Sequence, residues 1–141
     1  MASGAWLTSV VVAERRRNIS SGGPFEGSVG YSRAVAIGDS CWVAGTTDAG
    51  PDARSAHPDD AGAQARAIFA IAERALGEAG FGLADVVRTR MFVVRPADIA
   101  AVTAAHGDVF RSIRPVATLV LVAALMDPSF LVEIELEARR A

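Results

Sequence analysis

The sequence predicts one α+β domain: a mixed β-sheet with two helices on one face. Three observations point there. The apolar period switches between two and three-to-four along the chain, in the order strand, hairpin, helix, strand, helix, strand, strand. The last of these segments, residues 131–138, alternates strictly, with Val132, Ile134, Leu136 and Ala138 opposite Glu133, Glu135 and Glu137. Finally, 141 residues that are 51% hydrophobic and 21% charged suffice for a single buried core.

Each element has a local reason. Residues 31–37 and 40–44 are strand-like runs joined by Gly38-Asp39, a good hairpin signal. A loop rich in Gly, Pro, Asp and Ser fills residues 45–59. From Asp60 onward Ile68, Ile71, Ala72, Ala75, Leu76 and Ala79 recur three or four apart, so a helix follows. Asp59 and Asp60 suit its N-cap and dipole, and Gly80 its stop. Residues 86–94 form a strand whose Arg88 and Arg90 alternate with Val87, Thr89 and Met91. A second helix covers residues 97–110, with Ile99, Val102, His106, Val109 and Phe110 on one face. Residues 117–123 make a strand that is apolar on both sides.

That doubly apolar strand predicts self-association. If both helices cover one face of the sheet, the other face needs a cover that the chain itself does not supply, and further copies of the chain are the expectation.

Composition excludes other classes. The formal net charge is −2, and the only dense basic run is Arg15-Arg16-Arg17, so no nucleic-acid partner is expected. Gly22-Gly23-Pro24 lacks the Lys-Ser or Lys-Thr and the following helix of a phosphate loop. Cys41 is the single cysteine, read as a small apolar strand residue in a reducing compartment. His57 and His106 have no companion at metal-ligand spacing, so no metal site is expected. Residues 5–13 are apolar but are followed by Glu14 and the arginines. That polarity is wrong for a secretory signal and the run too short for a membrane span, so the expected location is cytoplasmic, without a membrane partner. The domain reading is an extension over residues 1–13 and a single domain over 14–141.

Four local segments, in this order and spacing, resemble the RidA/YjgF family of reactive-intermediate deaminases. They are Gly30-Tyr31-Ser32-Arg33-Ala34-Val35, Trp42-Val43-Ala44-Gly45-Thr46-Thr47, and Asp85-Val86-Val87-Arg88-Thr89-Arg90-Met91-Phe92-Val93. The fourth is the C-terminal pair Arg114-Pro115-Val116-Ala117-Thr118-Leu119-Val120-Leu121-Val122-Ala123-Ala124-Leu125 and Leu131-Val132-Glu133-Ile134-Glu135-Leu136-Glu137. The resemblance runs from about Arg16 to the C-terminus. It implies a chorismate-mutase-like fold, a homotrimer whose sheets face inward, and small-molecule clefts between subunits. It also implies cofactor-free hydrolysis of reactive imines or enamines to a keto acid and ammonia.

By the same resemblance Tyr31 is the aromatic pocket residue, Gly45 a backbone contact to substrate, and Glu133 the acid that handles water, with Thr118 on the pocket strand. Thr103 stands where deaminating relatives have asparagine. Ala117 stands where they have the arginine that grips the substrate carboxylate, and a methyl group cannot replace two parallel donors. Arg90 or Arg114 could supply the missing cation, or the substrate could lack a carboxylate. Equally, Arg88 and Arg90 could simply pair with Glu133, Glu135 or Glu137. Two functions stay open: an imine or enamine hydrolase of altered specificity, and a noncatalytic protein that holds a small metabolite. A ribonuclease reading fits poorly with the acidic balance.

Overall fold

The computed structural model describes residues 14–141. The expected extension over residues 1–13, with its apolar run, lies outside the described residues. Six strands and three helices follow: β1 (Arg17–Ile19), α1 (Glu26–Val29), β2 (Ala34–Ile37), β3 (Ser40–Thr46), α2 (Ala61–Glu78), β4 (Val86–Val93), α3 (Ile99–Phe110), β5 (Val116–Leu121) and β6 (Val132–Arg139). They form one sheet of order β1-β2-β3-β6-β4-β5. Only β4 and β5 are parallel, as a strand–helix–strand crossover through α3 requires.

The strand faces sort by chemistry. Ala34, Ala36, Cys41, Val43, Met91 and Val93 are buried with the four apolar residues of β6 against the helices. Small side chains on that face match an alanine-rich face of α2, whose buried set includes Ala65, Ala72 and Ala75 around Ile68, Phe69 and Leu76. Register places Val35 and Trp42 on the opposite face, where Arg88, Arg90 and Phe92 stand beside Glu137, Glu135 and Glu133. Among the described residues neither α2 nor α3 covers that face, and Trp42 is 44% exposed on it.

The element limits depart from expectation in ways that local chemistry explains. Gly38 has φ +56 in the two-residue turn between Ile37 and Ser40, as such a hairpin demands. β2 starts at Ala34 rather than Tyr31, because α1 ends at Gly30 with φ +83 and the chain is still turning. α1 itself was not foreseen, since four residues show no periodicity. Asp60 caps α2 by accepting from the Ala63 amide at 2.9 Å, while Asp59, at φ +60, precedes the helix. A 3₁₀ turn at Pro96–Asp98 leads into α3, which therefore begins at Ile99 rather than 97. β5 spans Val116–Leu121 rather than 117–123. It is an edge strand, and within one chain Val116, Val120 and Leu121 are exposed.

Two polar groups, buried Gln64 and partly buried His106, tie the layers together. Gln64 is fully buried on the first turns of α2; its amide donates to His57 O at 3.1 Å and Ser129 O at 2.9 Å, and its oxygen accepts from the Leu131 amide at 2.8 Å. Replacing it by leucine strands three backbone groups, so Gln64→Leu is expected to lower stability by on the order of 3 kcal/mol in urea unfolding.

His106 on α3 meets the Thr89 hydroxyl at 2.9 Å and packs 4.9 Å from the Phe110 ring centroid. Burial pushes its pKa below the ordinary 6.5. The folded state thus favours the neutral ring: its contribution is complete above 6.5 and is lost as pH falls through the depressed folded value. Comparing unfolding between pH 7 and 5, His106→Phe is expected to flatten part of the acid-side loss of stability.

Candidate functional site

The three residues named from resemblance as aromatic, backbone and acid components come together, directly or through one neighbour. β3 bulges against β6 between Val43 and Thr46, and Gly45 lies in that bulge. A Cβ at Gly45 would collide with Oε1 of Glu133, so the absence of a side chain is what admits the carboxylate. Glu133 is half-buried there, and its pKa is raised, first by desolvation and also by Glu135, against a lowering pull from Arg33. A carboxyl group so placed accepts a proton more readily than an exposed glutamate does.

Arg33 is the residue that sequence reading passed over. Its Nη1 donates to Gly45 O at 2.9 Å and to Thr46 Oγ1 at 2.7 Å, and its guanidinium lies 5.7 Å from the centre of the Tyr31 ring. Tyr31, 37% exposed, therefore reaches this corner through Arg33. The approach is held by Glu26, which accepts from both Ser20 and Ser21 hydroxyls, while its carbonyl accepts from the Tyr31 amide at 3.0 Å. The spacing Tyr31-Ser32-Arg33 was the signal available; two residues apart at a strand entrance can reach the same corner.

The other expected site residues lie elsewhere in the chain. Arg90 donates to Glu135 at 2.7 Å and to Glu137 at 3.1 Å, and Arg88 approaches Glu137 at 3.6 Å. Arg90 therefore already has two carboxylates. Thr118 is its register partner on β5, on the same open face. Ala117 pairs with Thr89, so it points toward the helix side at the exposed sheet edge. With β6 and β4 between β3 and β5, Ala117 lies about 14 Å from the Gly45 strand at ordinary strand spacing. Thr103 is exposed on α3 and its hydroxyl is turned back onto Ile99 O and Ala100 O. Arg114, exposed at φ +56, precedes β5. His57 bonds to buried Asp48 at 3.0 Å and serves the loop after β3. No group of three or more metal-ligating side chains occurs among the described residues, and no described helix is long and apolar enough to cross a membrane.

A shallow depression of about 270 Å³ on the open face is lined by Trp42, Ala44, Arg90, Glu135 and neighbours. With the Gly45–Glu133 corner beside it, the open sheet face is the candidate site of an α+β protein with the fold of the YjgF/RidA class. The chain belongs to this family: residues 24–140 match the family described as Endoribonuclease L-PSP. It is 40% identical to an uncharacterised protein of Streptomyces coelicolor over 130 residues, 92% of this chain and 96% of that protein. A crystal structure of Rv2704 from Mycobacterium tuberculosis, described as a member of the highly conserved YjgF/YER057c/UK114 family, is 47% identical with a TM-score of 0.81, covering 89% of this chain and all (100%) of that one. YyfA of Yersinia pestis, described as a protein of unknown function of the conserved Rid family, is 25% identical with a TM-score of 0.75, covering 89% and 100%.

Because Arg33 lowers the Glu133 pKa and burial raises it, removing the cation has a determined sign. In Arg33→Gln the Glu133 carboxyl is expected to titrate at higher pH than in the wild type, as read by carbon NMR of labelled glutamate.

Proposed function

We propose that the protein is a cofactor-free hydrolase of a reactive imine or enamine, working as a homotrimer with its site in a cleft between neighbouring copies. The observation that carries this reading is Glu133: a half-buried carboxyl with raised proton affinity, set against the bare backbone of Gly45. Such a group suits a general base that must take a proton from water and return it.

In the reaction, Glu133 accepts a proton from water as the oxygen adds to the imine carbon, giving a carbinolamine. Glu133 returns that proton to nitrogen, a second proton then moves from the carbinolamine hydroxyl to nitrogen through the same carboxylate as the oxygen forms the carbonyl, and the carbon–nitrogen bond breaks to release ammonia and the carbonyl product. An enamine first takes a proton on carbon to become the imine. Each turnover consumes one water and releases one ammonia. The Gly45 backbone and the Tyr31 ring border the substrate. The open face, which α2 and α3 leave uncovered and on which Trp42 is half-exposed, and the exposed apolar residues Val116, Val120 and Leu121 of edge strand β5 support coverage by further copies. A neighbour's β5 would then bring Ala117 and Thr118 toward the cleft from outside the chain.

A second reading, a noncatalytic metabolite-binding protein, is favoured by one feature: the methyl group of Ala117 where deaminating relatives hold substrate with arginine. The two readings separate in an assay that generates imines with an amino-acid oxidase and follows their loss at neutral pH. Protein sedimenting at the mass of three chains is expected to speed imine loss, with Glu133→Gln slower by about 100-fold. An intact trimer that leaves imine decay at the buffer rate, in both wild type and Ala117→Arg, would establish the binding reading instead.

A further inference from the structure

A second cavity, of about 150 Å³, lies between the chain leaving β1 and the helix α2. Neither Glu133 nor Trp42 borders it, so it is distinct from the depression on the open face. α2 contributes one stripe to its wall, Ile71, Arg74, Ala75 and Glu78, spaced three and four residues apart. Around α3 the pairs Arg95–Asp98 and Arg111–Asp108 close. Among the described residues Arg74 and Glu78 form no such pair, in keeping with the weaker order of a cation ahead of an acid along a helix. Both charges are left open to the cavity they line.

Arg33, Ser20 and Ser21 complete the polar wall. The two hydroxyls are already spent: they donate to Glu26 at 2.5 and 2.6 Å and hold its pKa down to about 2. A ligand therefore meets two guanidiniums and one carboxylate, beside the apolar side chains of Ile19 and Ile71. A simple anion gains the arginines and is repelled by Glu78, and a simple cation has the reverse problem. A zwitterion satisfies both signs, and the isoleucines take an aliphatic side chain.

Arg33 also belongs to the candidate corner. Its Nη1 donates to Gly45 O and Thr46 Oγ1, and its charge acts on Glu133. One residue thus borders the cavity and braces the bulge that receives Glu133. A ligand that meets this guanidinium acts on both places.

We propose that the cavity is a regulatory site for a small aliphatic α-amino acid: Arg33 and Arg74 receive its carboxylate, Glu78 receives its ammonium group, and occupancy is relayed through Arg33 to the Gly45 bulge. Binding and relay require no turnover; only a change in rate rests on the hydrolase reading above. The relay has a determined sign. A carboxylate on Arg33 offsets the positive charge that lowers the Glu133 pKa, so occupancy raises the proton affinity of Glu133 further.

The test uses the intact protein with L-valine, with valinamide, which lacks the carboxylate, and with isovalerate, which lacks the ammonium group. Binding is followed by calorimetry, and the Glu133 carboxyl by carbon NMR of labelled glutamate. The wild type is expected to bind valine about 10-fold tighter than either analogue. Arg74→Gln weakens valine by a similar factor and leaves valinamide unchanged. Glu78→Gln weakens valine without weakening isovalerate. Both positions are exposed on α2, so the melting temperature holds. Saturating valine moves the Glu133 titration to higher pH in the wild type, and at the same concentration the move is smaller in Arg74→Gln.

Three results overturn the proposal. They are no valine binding at millimolar concentration, valine binding indifferent to both Arg74→Gln and Glu78→Gln, which puts the amino acid in the cleft instead, and cavity binding that leaves the Glu133 titration where it was. The expected variant pattern with a moved Glu133 titration, in protein that hydrolyses no imine, upholds the site and removes the hydrolase reading. Imine hydrolysis by a protein that does not bind valine does the reverse.

Discussion

The period-two alternation of β6 is the constraint on which core and site both depend. Its even-numbered residues Val132, Ile134, Leu136 and Ala138 are buried beneath the helices, and its odd-numbered glutamates stand on the open face. A one-residue slip would bury three carboxylates and expose four apolar side chains, so the hydrophobic term fixes the register. Register in turn fixes which glutamate is free. Glu135 and Glu137 lie opposite Arg90 and Arg88 and are neutralised; Glu133 lies opposite Phe92 and is not. The same burial that secures the fold therefore leaves one acid with phenylalanine on one side and the bulged backbone of Gly45 on the other.

Much of this was legible in the sequence because it is periodic. The alternation of β6, the three-and-four spacing of α2 and the Gly38 turn each follow from short-range rules, and the single covered face follows from their order. What could not be read was what depends on irregularity. The bulge at Gly45 inserts a residue that no period announces, and it is the bulge that brings Glu133 to bare backbone. α1 is too short to leave a pattern. Gln64 reads as an ordinary polar helix residue until two distant loops are seen to bond to it.

The candidate site was legible in its parts but not in its grouping. Gly45 and Glu133 meet in one corner, which Tyr31 reaches through Arg33, whereas Ala117, Thr118 and Thr103 belong to a different edge and layer. A substitution at Ala117 alone invites the conclusion that charge recognition has vanished. The two arginines that the sequence offers in its place are held elsewhere: Arg90 is bonded to Glu135 and Glu137, and Arg114 stands exposed ahead of β5. Sequence position and spatial position are separate questions for a guanidinium, whose reach spans several backbone steps.

The loop between β3 and α2 carries a consequence of another kind. Its base is locked: buried Asp48 accepts from the Ser55 hydroxyl and the His57 amide, and Ser55 N donates to Ser129. Its tip closes on itself, with Ala49 bridged to Ser55 and the Gly50 amide donating to Arg54 O at 2.7 Å. Such a ring can be lengthened or shortened at the tip while the base stays anchored. Natural variation and deliberate insertion alike have a place to go, a handle on the outside of the protein at which a tag or reporter could be grafted without disturbing the corner that holds Glu133.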